Sequence, residues 1–192
     1  MNPTSELHQA GEIQLEQFVA FRLDNEEYAV PILSVTEVVP TLEITPVPNA
    51  PTYILGLASL RGKIVPILDL EKKFQLSRNS PATGQHIMVA ESEQKVLFGI
   101  LVDQVEEVLK VPTSAIKPPP DIVKSKISAE YLPGVIVLEK TDGGAAERIL
   151  LILDLQKILS DKNIEELHAV HPDTTQPAPV PDNQANQQGG QS

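Results

Sequence analysis

Apolar residues in this chain fall into short runs rather than into long helical stripes. Ile54 to Leu60 and Ile64 to Leu70 flank one Arg-Gly step, which reads as a buried strand, a tight turn and a second buried strand. Gly62 can take the positive φ that a tight turn often needs, so the turn lifts Arg61 out of an otherwise apolar hairpin. Upstream, Val19, Phe21 and Leu23 alternate with Phe18, Ala20 and Arg22. Asp24-Asn25-Glu26 then leads into a second apolar run from Tyr28 to Leu33, a hairpin signal. Val35, Val38 and Val39 surround Thr36 and Glu37; a single helical turn or a bent strand would both group these valines, and Pro40 closes the segment. Pro46, Pro48 and Pro51 exclude helix between Thr45 and Pro51 and predict an extended connection. Asp69 and Asp154 each precede a short segment that reads as a capped helix.

The pattern repeats. Tyr28 to Val39 lies over Phe98 to Leu109 without a gap at an offset of 70 residues, and Phe18-Val-Ala20 lies over Met88-Val-Ala90 at the same offset. Tyr53 to Leu60 lies over Tyr131 to Leu138 (offset 78), and Ile64 to Phe74 over Ile149 to Leu159 (offset 85). Segment order is kept and the growing offset falls in loops, so the chain reads as two copies of one β-rich unit. About five short strands per copy, with frequent turn signals, point to small barrels or a sandwich rather than to alternating β and α. The copies differ at one informative place. Glu37 has a counterpart in Glu107, whereas Arg61-Gly62 has none, because Leu138 is followed by a longer connection to Arg148.

Length and composition set the frame around this unit. The chain has 192 residues, no Cys and a formal charge of −11. Residues 1–16 are expected to be a flexible arm and 17–167 one domain, with repeats at about 17–80 and 84–160 and a short C-terminal helix resuming through Asn163–His168. Residues 168–192, rich in Pro and Gln, have too little apolar content to offset their ordering entropy and are expected to be disordered. A folded region of about 150 residues buries roughly 68–70% of its extended-chain surface and needs no disulfide or metal. No apolar run approaches the roughly 20 residues that span a bilayer, and no secretory segment opens the chain; a cytoplasmic protein is expected. The negative charge disfavours nucleic acid and anionic lipid as partners.

With these segments in view, the sequence resembles the CheW family, the coupling proteins of bacterial chemosensory arrays. The resemblance is carried by Phe18 to Val30, Val35-Thr-Glu-Val, Tyr53 to Leu70, Phe98 to Leu109 and Ile116-Lys-Pro-Pro-Pro, in order from Gln17 to Leu167. It implies a mainly β fold of two small five-stranded SH3-like barrels, packed together with an apolar groove between them. It also implies a non-catalytic adaptor without cofactors. The implied partners are the cytoplasmic tip of a chemoreceptor (methyl-accepting chemotaxis protein) and the regulatory domain of a CheA-type histidine kinase, with recruitment to membrane-bound arrays. The family's receptor-contacting positions fall on Val35, Glu37, Gly56, Arg61, Val105 and Val108. Ser59 departs from the Asn usual before Leu-Arg-Gly. An adaptor of type IV pilus or other non-flagellar signalling would carry the same domain.

The residues can be weighed without the family. Arg61 reads as a guanidinium at the groove rim, held by Glu37 and offered to an acidic or carbonyl-rich helix surface, since the planar fork of Arg suits that role better than Lys. The competing reading is a surface ion pair worth about 0–1 kcal/mol that only steadies the turn. Val35, Val38, Val105 and Val108 occupy equivalent places in the two copies and could line one trough for an amphipathic helix; ordinary core is the alternative for each. Gly56 reads as a backbone-geometry residue more than a contact. Asp69 and Asp154 end apolar strands as a phosphoacceptor would, yet no paired acidic residues accompany them to bind Mg²⁺, so helix capping is preferred over a phosphoreceiver. His168 and His171 lack a third ligand nearby, and no nucleophile arrangement or phosphate-cradling loop is present.

Overall fold

The structure, a computed structural model, describes residues 14–78, 85–93, 95–121, 127–138 and 147–159. The expected tail, the helix expected over Asn163–His168 and all but the last residues of the expected arm lie outside these. Eleven strands and two short α-helices are present among the described residues: β1 (Leu15–Leu23), β2 (Glu26–Pro31), β3 (Val35–Pro40), β4 (Ile54–Leu60), β5 (Lys63–Asp69), α1 (Leu70–Phe74), β6 (His86–Glu91), β7 (Leu97–Val102), β8 (Gln104–Pro112), β9 (Ile116–Lys117), β10 (Gly134–Leu138), β11 (Arg148–Ile152) and α2 (Leu155–Leu159). The valines around Glu37 form a strand, entered through a single 3₁₀ turn at Ile32–Ser34. β1 begins at Leu15, opposite Pro112, two residues before the expected boundary at Gln17.

Local chemistry explains the turns and ends. β1 and β2 are joined by Asp24-Asn25, and β4 and β5 by Arg61-Gly62, with Arg61 at φ 51° and Gly62 at φ 80°. Two successive positive φ values make the primed turn whose twist matches a two-residue hairpin. Asp69 caps α1 by accepting from the Lys72 backbone N–H at 3.1 Å, and Asp154 accepts from that of Lys157 at 3.2 Å. The helix-capping reading of both aspartates is what the geometry gives, with Lys72 and Lys157 also within ion-pair range.

The two copies exchange strands. One sheet has the order β8-β1-β2-β11-β10-β9, the other β3-β6-β7-β5-β4. The first hairpin of each copy thus completes the sheet of the other copy, through a parallel pairing of β2 with β11 and of β7 with β5. Each sheet also rolls on itself. β8 and β9 sit at opposite edges yet are joined by the 3₁₀ turn Thr113–Ala115. In the other sheet the chain leaving β3 returns as Thr45, which exchanges two 2.8 Å backbone hydrogen bonds with Leu57 of β4. The fold is two small barrels with SH3-like subdomain form, and rolling hides the edges that open sheets expose.

Three apolar clusters follow from this arrangement. Phe18, Ala20, Ile136, Leu150 and Ile152 fill one barrel; Ala58, Val65, Ile67, Ile87 and Val89 fill the other. The largest cluster lies between the barrels and includes Phe21, Tyr28, Leu68, Met88, Phe98, Ile100, Leu151, Leu155 and Ile158. β2, β5 and β7 face a barrel interior on one side and this central cluster on the other, which is why they are apolar without alternation. Lys73 of α1 seals the seam, its Nζ 4.4 Å from the ring centre of Tyr53 and 5.4 Å from that of Tyr131.

The pairings test the repeat residue by residue. Gly56 opposite Ile67 corresponds to Gly134 opposite Ile152, and Ala58 opposite Val65 to Ile136 opposite Leu150, as offsets of 78 and 85 require. The first strand is a correction. Ala20 pairs with Ala29 and Val89 with Gly99, so β1 maps onto β6 at an offset of 69, not 70. With period-2 alternation a slip of one residue exchanges the two faces. The offset of 70 would have set Phe18, which fills a barrel, over Met88, which belongs to the central cluster.

Candidate functional site

Glu37 on β3 and Arg61 in the β4–β5 turn lie at opposite ends of one sheet in the order of its strands, and the rolling of that sheet brings them together. Arg61 donates from Nη2 to Glu37 Oε2 at 2.7 Å, the expected ion pair. The Arg61 side chain is 78% exposed, that of Glu37 24%. The turn therefore holds a cation outward over a half-buried carboxylate.

The second barrel supplies a cation to its strand carboxylate from a different position. Glu107, the counterpart of Glu37, is met by Arg148 at 2.6 Å, and Arg148 also donates through Nε to Glu27 at 2.6 Å. Arg148 aligns with Lys63 rather than with Arg61, so no alignment of the turns could reveal it. A guanidinium spans both mouths. The two are not alike, since Arg148 is only 24% exposed; hydrogen bonding to Glu107 raises its pKa, against burial and with help from Glu27. In front of it an open depression of about 680 Å³ is bordered by Glu26, Glu27, Glu106, Glu107 and Glu147.

The four valines lie where the two barrels face each other. Residues directly opposite on neighbouring strands share a face. Val35 is opposite Ala90 and Val38 opposite Met88; Val105 is opposite Phe21 and Val108 opposite Val19. All four partners belong to the central cluster, against which Val35 and Val105 also pack. Val38 and Val108 remain 39% and 53% exposed. The groove implied by the resemblance is accordingly not an open cleft between the barrels. The protein's own side chains fill the interior, and of the four valines only Val38 on β3 and Val108 on β8 keep substantial exposed apolar surface.

Gly56 presents no side chain to a partner and is buried. Its φ is +149°, and a Cβ there would stand 2.2 Å from the Thr45 carbonyl oxygen. It thus allows the close strand approach that rolls the sheet. Gly134, its counterpart, would meet the Lys117 carbonyl oxygen at 2.9 Å.

Two features escaped the sequence reading. Leu33, in the turn between β2 and β3, is 97% exposed. At the equivalent crossing between β7 and β8 stands Asp103, whose carboxylate accepts from Arg78 at 2.9 Å and from the Asp24 backbone N–H at 2.7 Å. Arg78 also forms two 2.9 Å bonds with Glu71. Burial pushes the Glu71 carboxyl up more than Arg78 pulls it down. Burial also opposes the charge on Arg78, but its bonds to Asp103 and Glu71 outweigh that and raise its pKa. The offset of 70 connects Leu33 with Asp103, yet nothing in the sequence says that one is bare and the other clamped.

Among the described residues no three His, Asp or Glu side chains converge as a metal site, and no helix is long and apolar enough to cross a membrane. Comparison with known proteins agrees with the geometry. The CheW-like domain family matches residues 17–163. The chain is 36% identical to the chemotaxis protein CheW of Klebsiella aerogenes over 155 residues, covering 81% of this chain and 88% of that one. It is 30% identical to the chemotaxis protein CheW of Treponema pallidum over 154 residues, 79% and 86% of the two chains. The crystal structure of the scaffolding protein TtCheW from Thermoanaerobacter tengcongensis superposes with a TM-score of 0.66 at 29% identity, covering 81% of this chain and 95% of that one. Two strand-exchanged barrels, the Leu-Arg-Gly hairpin and these relationships together place the chain in the CheW family.

Proposed function

We propose that this protein is the non-catalytic adaptor of a chemosensory pathway, joining the cytoplasmic tip of a chemoreceptor to the regulatory domain of a CheA-type histidine kinase in the cytoplasm. The observation that carries the receptor half is the set of exposed valines on β3 and β8, on the faces the barrels turn toward each other, with Arg61 held outward by Glu37 at one end. An amphipathic helical hairpin suits that combination, apolar contacts along the strands and a charged contact at the rim. Val35, Glu37, Val38, Arg61, Val105 and Val108 make the contact, and Gly56 shapes the wall behind them. The kinase docks on barrel surfaces away from this seam.

Coupling requires each partner to contact the kinase-on and kinase-off states differently, and multivalency in an array strengthens contacts that are individually weak. The test is co-sedimentation of the purified protein with receptor-containing membranes, with and without kinase. Arg61→Glu should abolish receptor-dependent sedimentation while leaving binding to the isolated kinase regulatory domain intact. Unchanged sedimentation of a folded Arg61→Glu protein would refute the assignment.

A further inference from the structure

A trough lined by repeat-related valines has an orientation problem. Val35 and Val38 on one strand and Val105 and Val108 on the other are exchanged by the internal repeat, so the valines alone would accept a helical hairpin in either of two directions. Specificity of direction has to come from positions where the repeat is broken.

The structure breaks it at two places, and both breaks leave the same half open. At the strand crossing, Leu33 stands 97% exposed, while the Asp103 side chain is 13% exposed in the grip of Arg78. At the barrel mouth, Arg61 is 78% exposed with one carboxylate partner, while Arg148 is held between Glu27 and Glu107. Leu33 and Arg61 flank the Val35 to Val38 stretch, one from the turn before β3 and one from across the barrel edge. The half built on β8 has spent the corresponding groups on its own contacts.

Resting on the receptor reading above, we infer that Leu33 and Arg61 together set the direction in which the receptor hairpin lies across the valines. The occupant offers an apolar side chain to Leu33 and a carboxylate to Arg61. The carboxylate follows from charge, because in a chain of net charge −11 Arg61 is a strongly exposed cation beside this apolar surface. The apolar contact follows from continuity, because Leu33 lies two residues before Val35 on the same run of chain.

The test uses the full chain and a soluble cytoplasmic fragment of a methyl-accepting chemoreceptor as the probe. Photo-crosslinkers are placed one at a time at Thr36 and Glu106, exposed and repeat-related, and the crosslinked fragment positions are mapped by mass spectrometry. In the otherwise unchanged protein the two reporters should mark different ends of the hairpin. Leu33→Asp should weaken binding about tenfold and make the two crosslink patterns converge, with the unfolding midpoint unchanged because the side chain touches no core. Leu33→Met should keep both affinity and pattern. Patterns and affinity unaltered by Leu33→Asp would overturn the inference while leaving the receptor reading intact, whereas no binding by the unsubstituted protein would overturn the receptor reading itself.

Discussion

The two barrel mouths start from the same half-built design and finish it differently. Glu37 and Glu107 hold equivalent strand positions, and each receives a guanidinium. Arg61 comes from a two-residue turn and remains 78% exposed. Arg148 comes from the start of β11 and lies between two carboxylates. The lesson is that an internal repeat conserves a requirement, here a cation over a strand carboxylate, without conserving the position that supplies it. Where the cation is also free to reach outward, the same contact becomes available to a partner.

Substitutions at paired positions probe how far this equivalence extends. The largest effect is expected at the glycines: Gly56→Ala should cost about 3–5 kcal/mol, since it adds backbone strain at positive φ to a clash with a carbonyl oxygen, and Gly134→Ala about 1–3 kcal/mol from the clash alone. Urea unfolding of the two variants measures the difference, and equal losses would contradict it. Next, Arg148→Ala should destabilise by about 1–3 kcal/mol, because Glu27 and Glu107 are left facing each other, whereas Arg61→Ala should change stability by less than about 0.5 kcal/mol. The two mouths would prove alike if both variants shifted the urea midpoint equally.

Tyr28 and Phe98 form a third pair, equivalent in the repeat and differing by one hydroxyl. The Tyr28 hydroxyl donates to Glu26 at 2.8 Å, and burial, followed by that hydrogen bond, raises its pKa far above the ordinary 10.0. A folded-state pKa above the unfolded value means stability that is complete below pH 10 and falls as pH rises, because only the unfolded chain ionises this group. The loss approaches about 1.4 kcal/mol per pH unit above 10. Tyr28→Phe should remove one proton's share of that slope in urea titrations between pH 9.5 and 11, and cost about 1 kcal/mol or less at pH 7. An unchanged alkaline slope would show that Tyr28 ionises in place.

The smallest effect belongs to Glu71, whose carboxyl burial pushes above its ordinary 4.5. Such a group favours folding fully below pH 4.5 and progressively less as pH rises through its raised value, so the protein should carry a shallow loss of stability across that window. Glu71→Gln should flatten it, read by unfolding midpoints between pH 4 and 6.

Much of this was legible in the residues. The apolar run from Ile64 to Leu70 announced a buried strand, and Arg61-Gly62 announced its own turn. The repeat at offsets of 78 and 85 was correct to the residue because Gly56 and Gly134 each mark a point where a strand passes close to another backbone. The offset of β1 was misread by one because Phe18-Val-Ala and Met88-Val-Ala match in residue type while pointing to opposite faces, and only pairing distinguishes faces. The partner of Glu107 was not legible because Arg148 is 41 residues away in sequence.

The sequence by itself determined that a β unit occurs twice, where the main apolar strands and their tight turns fall, and that an arginine stands out from an apolar hairpin. It could do so because those features depend on neighbours along the chain. Tertiary structure decided that each unit lends its first hairpin to the other, that the space between barrels is filled, and that Leu33 is bare while Asp103 is clamped. These outcomes depend on which surfaces compete for burial at long range, where rolling a sheet brings its distant edges within hydrogen-bonding reach.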